Sequence, residues 1–193
     1  KKILNIFKSL INDNYAKSAM EFETFLENYP DHSKKDKAEM MLDFCYKQIP
    51  YQRFREGLKE LAQNKYNRAI KLFNKAQEDA DEDLQFEINS RLAEISNTLL
   101  DSALYYYKII GYDNSEKIIQ KAVEISPKMR FRGDQVLAKI YFDQGNILFK
   151  IGNYDKALEK FRFAQQLDPE LGNLLNVKRK DLASGFLKDA SKA

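Results

Sequence analysis

Four tyrosines, Tyr15, Tyr66, Tyr112 and Tyr154, each head the same short pattern. Three residues on stand Ser18, Ala69, Ser115 and Ala157, all small. Seven on stand Phe22, Phe73, Ile119 and Phe161, all large and apolar. Ten on stand Phe25, Ala76, Ala122 and Ala164, and fifteen on stand Pro30, Asp81, Pro127 and Pro169. Nine before the tyrosines stand Ile6, Gly57, Ala103 and Gly145. Small, aromatic and terminating residues at fixed offsets describe a helical hairpin repeated along the chain.

Each column has a packing reason. Gly57, Ala103 and Gly145 fall mid-way along a first helix, and Ala69, Ser115 and Ala157 on a second. Small residues at both places let two helices approach closely. The tyrosines open the second helix, with Phe73, Ile119 and Phe161 two turns later on the same face. Pro127 and Pro169 cannot continue a helix and end the second one. The turns KIGNY and IIGYDN place glycine where the first helix must stop. One such hairpin cannot bury its apolar face alone, so neighbours must stack.

Residues 138–171, AKIYFDQGNILFKIGNYDKALEKFRFAQQLDPEL, closely resemble the tetratricopeptide repeat. Gly145, Leu148, Gly152, Tyr154, Ala157, Phe161, Ala164 and Pro169 fall on its signature positions, with Tyr141 where tryptophan is usual. Residues 50–83 keep Gly57, Tyr66, Ala69, Phe73 and Ala76 but lose the proline, and residues 96–129 keep Ala103, Tyr106, Tyr112, Ala122 and Pro127. The first copy, ending at Pro30, diverges most, with Ile6 and Phe25 where small residues are expected.

The spacing departs from that family. Successive tyrosines lie 51, 46 and 42 residues apart, against a usual period of about 34. The second-helix cassettes keep their length, so the surplus falls in or before the first helices. Leu84, Ile88, Leu92, Ile95, Leu99, Ala103, Tyr106 and Ile110 recur at three- and four-residue steps, which predicts one long amphipathic helix. Residues 130–150 predict another. Pro50 divides residues 34–63 into two helices, about 35–48 and 51–63, or kinks one. The expectation is an all-α solenoid, a single domain over residues 1–193 of about ten helices. Its hairpins cover approximately 2–30, 35–80, 84–127 and 130–169. Residues 173–190, with Leu174, Leu175, Leu182 and Phe186, predict a capping helix.

Composition limits the function. No stretch approaches the ~18 consecutive apolar residues of a membrane span. The net charge of +3 is a weak bias, and the basic clusters Lys34–Lys35–Lys37, Lys128–Arg130–Arg132 and Lys178–Arg179–Lys180 are short. They read as solvated surface, not a nucleic-acid footprint. The one cysteine, Cys45, lies among Met41, Leu42 and Phe44 and reads as a buried structural thiol. The chain starts at Lys1 without a signal-peptide pattern, which reads as a trimmed or mature fragment.

Catalysis has little to stand on. His32, the only histidine, lies in the loop PDHSKKD and reads as solvated. No His/Cys cluster and no phosphate-cradling glycine pattern occurs. The acidic run Asp79, Asp81, Glu82 and Asp83 sits where a helix begins, and acids there favour the helix dipole. Catalytic residues, metal ligands and cofactors are therefore assigned as none, and an enzyme is not expected. The run Tyr105–Tyr106–Tyr107 cannot all face inward on a helix, so at least one ring faces a groove or solvent.

The resemblance implies a concave face lined by first helices. Its positions fall on Tyr51, Phe54, Arg55, Leu58 and Ala62 in the second copy. In the third they fall on Asn97, Leu100, Asp101, Leu104, Tyr107 and Lys108. In the fourth they fall on Lys139, Phe142, Asp143, Asn146, Phe149 and Lys150. An aromatic face with scattered charge suits a peptide with apolar anchors; the other reading fills this face with neighbouring helices. Tyr107, Phe142 and Phe149 are expected to be partly exposed. Asp101 and Asp143 stand where adaptors for chaperone tails hold a carboxylate, and like charge there repels one.

Phe22, Phe25, Leu26, Tyr29 and Pro30 form an F-x-x-F-L-x-x-Y-P cassette. It resembles repeats of bacterial envelope lipoproteins and periplasmic cell-division coordinators. The functional expectation is a non-catalytic scaffold that binds a protein or peptide, from a bacterium, in the cytoplasm or the periplasm and envelope. Two alternatives stand beside it: a structural subunit that stacks on its own copies or a fixed complex, and a peptide-sensing regulator. A homo-oligomer is possible; a nucleic-acid partner and a membrane span are not expected.

Overall fold

A computed structural model of the chain describes Leu10, residues 14–171, Lys180, Ala183 and Ser184. Seven α-helices occur among the described residues: α1 Tyr15–Asn28, α2 Lys35–Ala62, α3 Tyr66–Gln77, α4 Glu82–Ile110, α5 Tyr112–Ile125, α6 Arg130–Lys150 and α7 Tyr154–Leu167. Short 3₁₀ turns cover Pro127–Met129 and Pro169–Leu171. No strand occurs among the described residues, and no helix among them is long and apolar enough to cross a membrane. The backbone divides into two compact units, residues 1–92 and 93–193.

The four tyrosines are the first residues of α1, α3, α5 and α7. Behind them, Ser18, Ala69, Ser115 and Ala157 are fully buried, and Phe22, Phe73, Ile119 and Phe161 nearly so. The two serines keep their hydroxyls satisfied inside the core. Ser18 donates to the Asn14 carbonyl and Ser115 to that of Gly111, each at 3.0 Å.

The glycines of the first helices meet the aromatics of the second. A Cβ on Gly57 would lie 2.5 Å from the Phe73 ring, and one on Gly145 would lie 2.6 Å from the Phe161 ring. Each glycine is thus a notch that seats a ring. The third hairpin solves the same problem with other volumes: Ala103 and Ile119 replace Gly and Phe, and share one core with Leu100, Tyr107, Ala122, Val136 and Ile140. Gly133 is a notch that the sequence columns do not contain. A Cβ there would meet Val123 of α5 at 2.8 Å, so α6 lies tight on α5.

The surplus length lies in the first helices. α2, α4 and α6 have 28, 29 and 21 residues, while α1, α3, α5 and α7 have 12 to 14. The expected ten helices become seven for two reasons. First, α2 runs unbroken through Pro50, which is fully buried beside Cys45 and Ile49. A proline inside a helix costs about 3 kcal/mol, and burial of that stretch, at ~25 cal/mol per Å² of apolar surface, offsets it. Second, apart from Leu10, Lys180, Ala183 and Ser184, the first arm of hairpin 2–30 and the capping helix 173–190 lie outside the described residues.

Connections follow local chemistry. Tyr29, Ser126 and Asp168 precede prolines, and all three leave the helical region. Where the second copy lacks proline, Asp81 caps α4 instead, its carboxylate accepting the Leu84 N–H at 2.9 Å. Gly111 and Gly152 close the turns at φ 85° and 81°, and Asn64 does so at φ 58°. Gly152→Ala should therefore destabilise the chain by about 1 kcal/mol, while Asn64→Gly should be neutral or slightly stabilising. Urea denaturation followed by helical circular dichroism checks both.

Candidate functional site

Tyr51, Phe54, Arg55 and Leu58 belong to the first unit. The Phe54 ring packs on Phe73 with centroids 5.6 Å apart and is buried. Tyr51 is half-buried and donates its hydroxyl to Asp81 at 2.5 Å, which also helps hold the Asp81 carboxyl below its ordinary range. Leu58 is half-buried, and Arg55 and Ala62 are exposed.

The remaining candidates lie on α4 and α6 in the second unit, and side-chain bonds tie those helices together. The Tyr107 hydroxyl donates to Asp143 Oδ2 at 2.6 Å. Arg132 Nη2 donates to Asp101 Oδ1 at 2.6 Å. Lys139 Nζ lies 3.5 Å from Asp143 Oδ1 and sits over the Phe142 ring. Burial, and then the Asp143 carboxylate, push the Tyr107 phenol far above its ordinary range. The phenol thus stays a donor.

Three expectations of the face are corrected. Phe54, Leu100 and Tyr107 are core residues, Tyr107 at 4 % exposure. The reason is helical register. Phe54 is three residues before Gly57, Leu100 is three before Ala103, and Tyr107 is four after it. All three therefore share the face of the small residue that packs on the second helix. The outward rings of the tyrosine run are Tyr105 and Tyr106, at 76 % and 46 % exposure. Phe142 and Phe149 are half-buried as expected, against Phe161 and Tyr154 at 5.5 Å each. Asn97, Asp143 and Asn146 are half-buried, and Asp101, Leu104, Lys108, Lys139 and Lys150 are exposed.

The remaining singular residues have structural work. Cys45 is fully buried, and burial raises its thiol pKa. His32 stacks edge-on against Phe25 at 5.2 Å, and its Nδ1 accepts the Lys34 N–H at 3.1 Å. Arg132 is the site residue that the repeat pattern misses. It pairs with a partner 31 positions away, and no local period carries that signal.

The family comparison falls on the best-formed hairpin, α6–α7: residues 138–171 match the family model described as tetratricopeptide repeat. Over those residues the α6–α7 hairpin is similar to this family. Such repeats are in general protein-interaction modules and generally non-catalytic. No curated protein matches the chain. Within this repeat Tyr141 holds the usual tryptophan position. Its ring lies 5.8 Å from Phe163, with the Lys160 ammonium 4.9 Å above it.

The Tyr141 phenol is pushed up to about 12, chiefly by burial and then by its hydrogen bond to Glu116. The neutral phenol is the form the fold favours. Its contribution is thus complete below pH 10 and is lost as pH rises toward about 12. Tyr141→Phe should flatten the fall in melting temperature across that interval without abolishing it, since Tyr107 and Tyr112 are raised as well. Melts at stepped alkaline pH, with phenolate absorbance as a second signal, check this.

Proposed function

We propose that the chain is a non-catalytic scaffold that binds a protein or peptide segment on the α4–α6 face of its second unit. The observation that carries this is a face fixed from below and open above. Two side-chain bonds, Tyr107 to Asp143 and Arg132 to Asp101, hold the two helices in register. Beside them Leu104 is exposed and Asn146 half-buried, and Phe142 and Phe149, packed on the α7 core, keep part of their rings uncovered. Preorganised side chains lose little entropy on binding, and half-buried aromatics make good anchors. The bacterial and envelope readings rest on the cassette at residues 22–30.

The test is capture of partners by wild type and by Asn146→Glu, which sets a long anion in the middle of the face. Arg162→Ala on exposed α7 is the control. Partners should be lost with Asn146→Glu and kept with the control, while all three proteins melt alike. Retention of every partner by Asn146→Glu would contradict the assignment. A self-stacking subunit is the second reading, supported by Tyr105 and Ile109, both more than three-quarters exposed. On that reading Asn146→Glu keeps its partners.

A further inference from the structure

We infer that the α4–α6 face takes an acidic peptide segment, in which side-chain carboxylates flank an apolar anchor; this rests on the binding-face reading above. Sequence alone points the other way, because Asp101 and Asp143 would repel a carboxylate. The structure shows both acids already matched. Asp101 is spent on Arg132 at 2.6 Å. Asp143 accepts the Tyr107 hydroxyl at 2.6 Å and faces Lys139 at 3.5 Å.

Two cations are left over. Lys108 and Lys150 are exposed, and neither pairs with a carboxylate among the described residues; Lys108 merely rests over the Tyr107 ring at 5.5 Å. They stand in the last turns of α4 and α6. A helix C-terminus carries about half a negative charge. The two termini therefore offset roughly half of the excess and leave the end of the face positive. Each lysine also lies one turn beyond a face residue, Lys108 after Leu104 and Lys150 after Asn146. An apolar anchor over Leu104 thus has Lys108 one turn on, and one beside Asn146 has Lys150 one turn on. Lysines on separate helices are mobile point charges without a fixed fork of donors. They suit separated side-chain carboxylates better than one terminal carboxylate.

The experiment pans short random peptides, displayed as internal segments, against the whole chain. The enriched sequences should pair two or more Asp or Glu with a Leu, Ile or Phe. One such peptide, synthesised with a C-terminal amide, should bind about tenfold more weakly to Lys108→Glu/Lys150→Glu. Its affinity should fall with added salt, and the free-acid form should bind equally well. Both lysines are exposed and pair with no carboxylate among the described residues, so the variant should still fold, melting slightly lower because an acid in a helix's last turn opposes its dipole. Enrichment of neutral or basic peptides overturns the inference, as does indifference to the charge reversal. Neutral peptides lost on Asn146→Glu but kept on Lys108→Glu/Lys150→Glu would preserve the binding face and reject its acidic ligand. No enrichment at all rejects both.

Discussion

The seating of an aromatic ring in a glycine notch is the contact on which the rest of the structure depends. Gly57 with Phe73 and Gly145 with Phe161 leave no space for even one added carbon. Protein interiors are packed to crystal density, so the ring and the absent Cβ must be chosen together. The third hairpin shows the exchange within the same chain, with Ala103 against the smaller Ile119. Closing the notch fixes which face of each first helix is core. Residues three or four positions from the small residue are drawn inward with it.

That register decides what remains for function. It turns Phe54, Leu100 and Tyr107 inward and leaves Leu104, Asn146 and the lysines outside. It also brings Tyr107 under Asp143, so that a buried phenol and a half-buried carboxylate satisfy each other between α4 and α6. Both aspartates of the face are consumed by such bonds. The chemistry offered to a partner is therefore not the chemistry read from the side chains one at a time.

The repeat was legible because its columns are local and periodic. The tyrosines mark the starts of α1, α3, α5 and α7, and the stripe from Leu84 to Ile110 was rightly read as one helix. What was not legible depends on contacts distant in sequence. Pro50 argues locally for a break, yet a buried stretch holds α2 together. Transferring face positions from shorter repeats put Tyr107 outside, although its spacing from Ala103 already placed it on the core stripe. Asp101 to Arg132 and Tyr107 to Asp143 span 31 and 36 residues, and no period announces them. Gly133 was missed because it packs against the preceding second helix and lies outside the columns.

A double-mutant cycle on the last notch tests the central claim most directly. Gly145→Ala alone should destabilise by about 1–3 kcal/mol, although alanine is the better helix former. The Phe161 ring is buried, and Phe142 lies against it, so it cannot simply swing aside. Phe161→Ile alone should destabilise through the space it leaves. Together they recreate the Ala103/Ile119 pair, and the double variant should be more stable than the sum of the single effects by at least ~1 kcal/mol. Effects that add to within ~0.5 kcal/mol would show that glycine and ring are not chosen for each other, and the notch would not be the contact that sets the register of this fold.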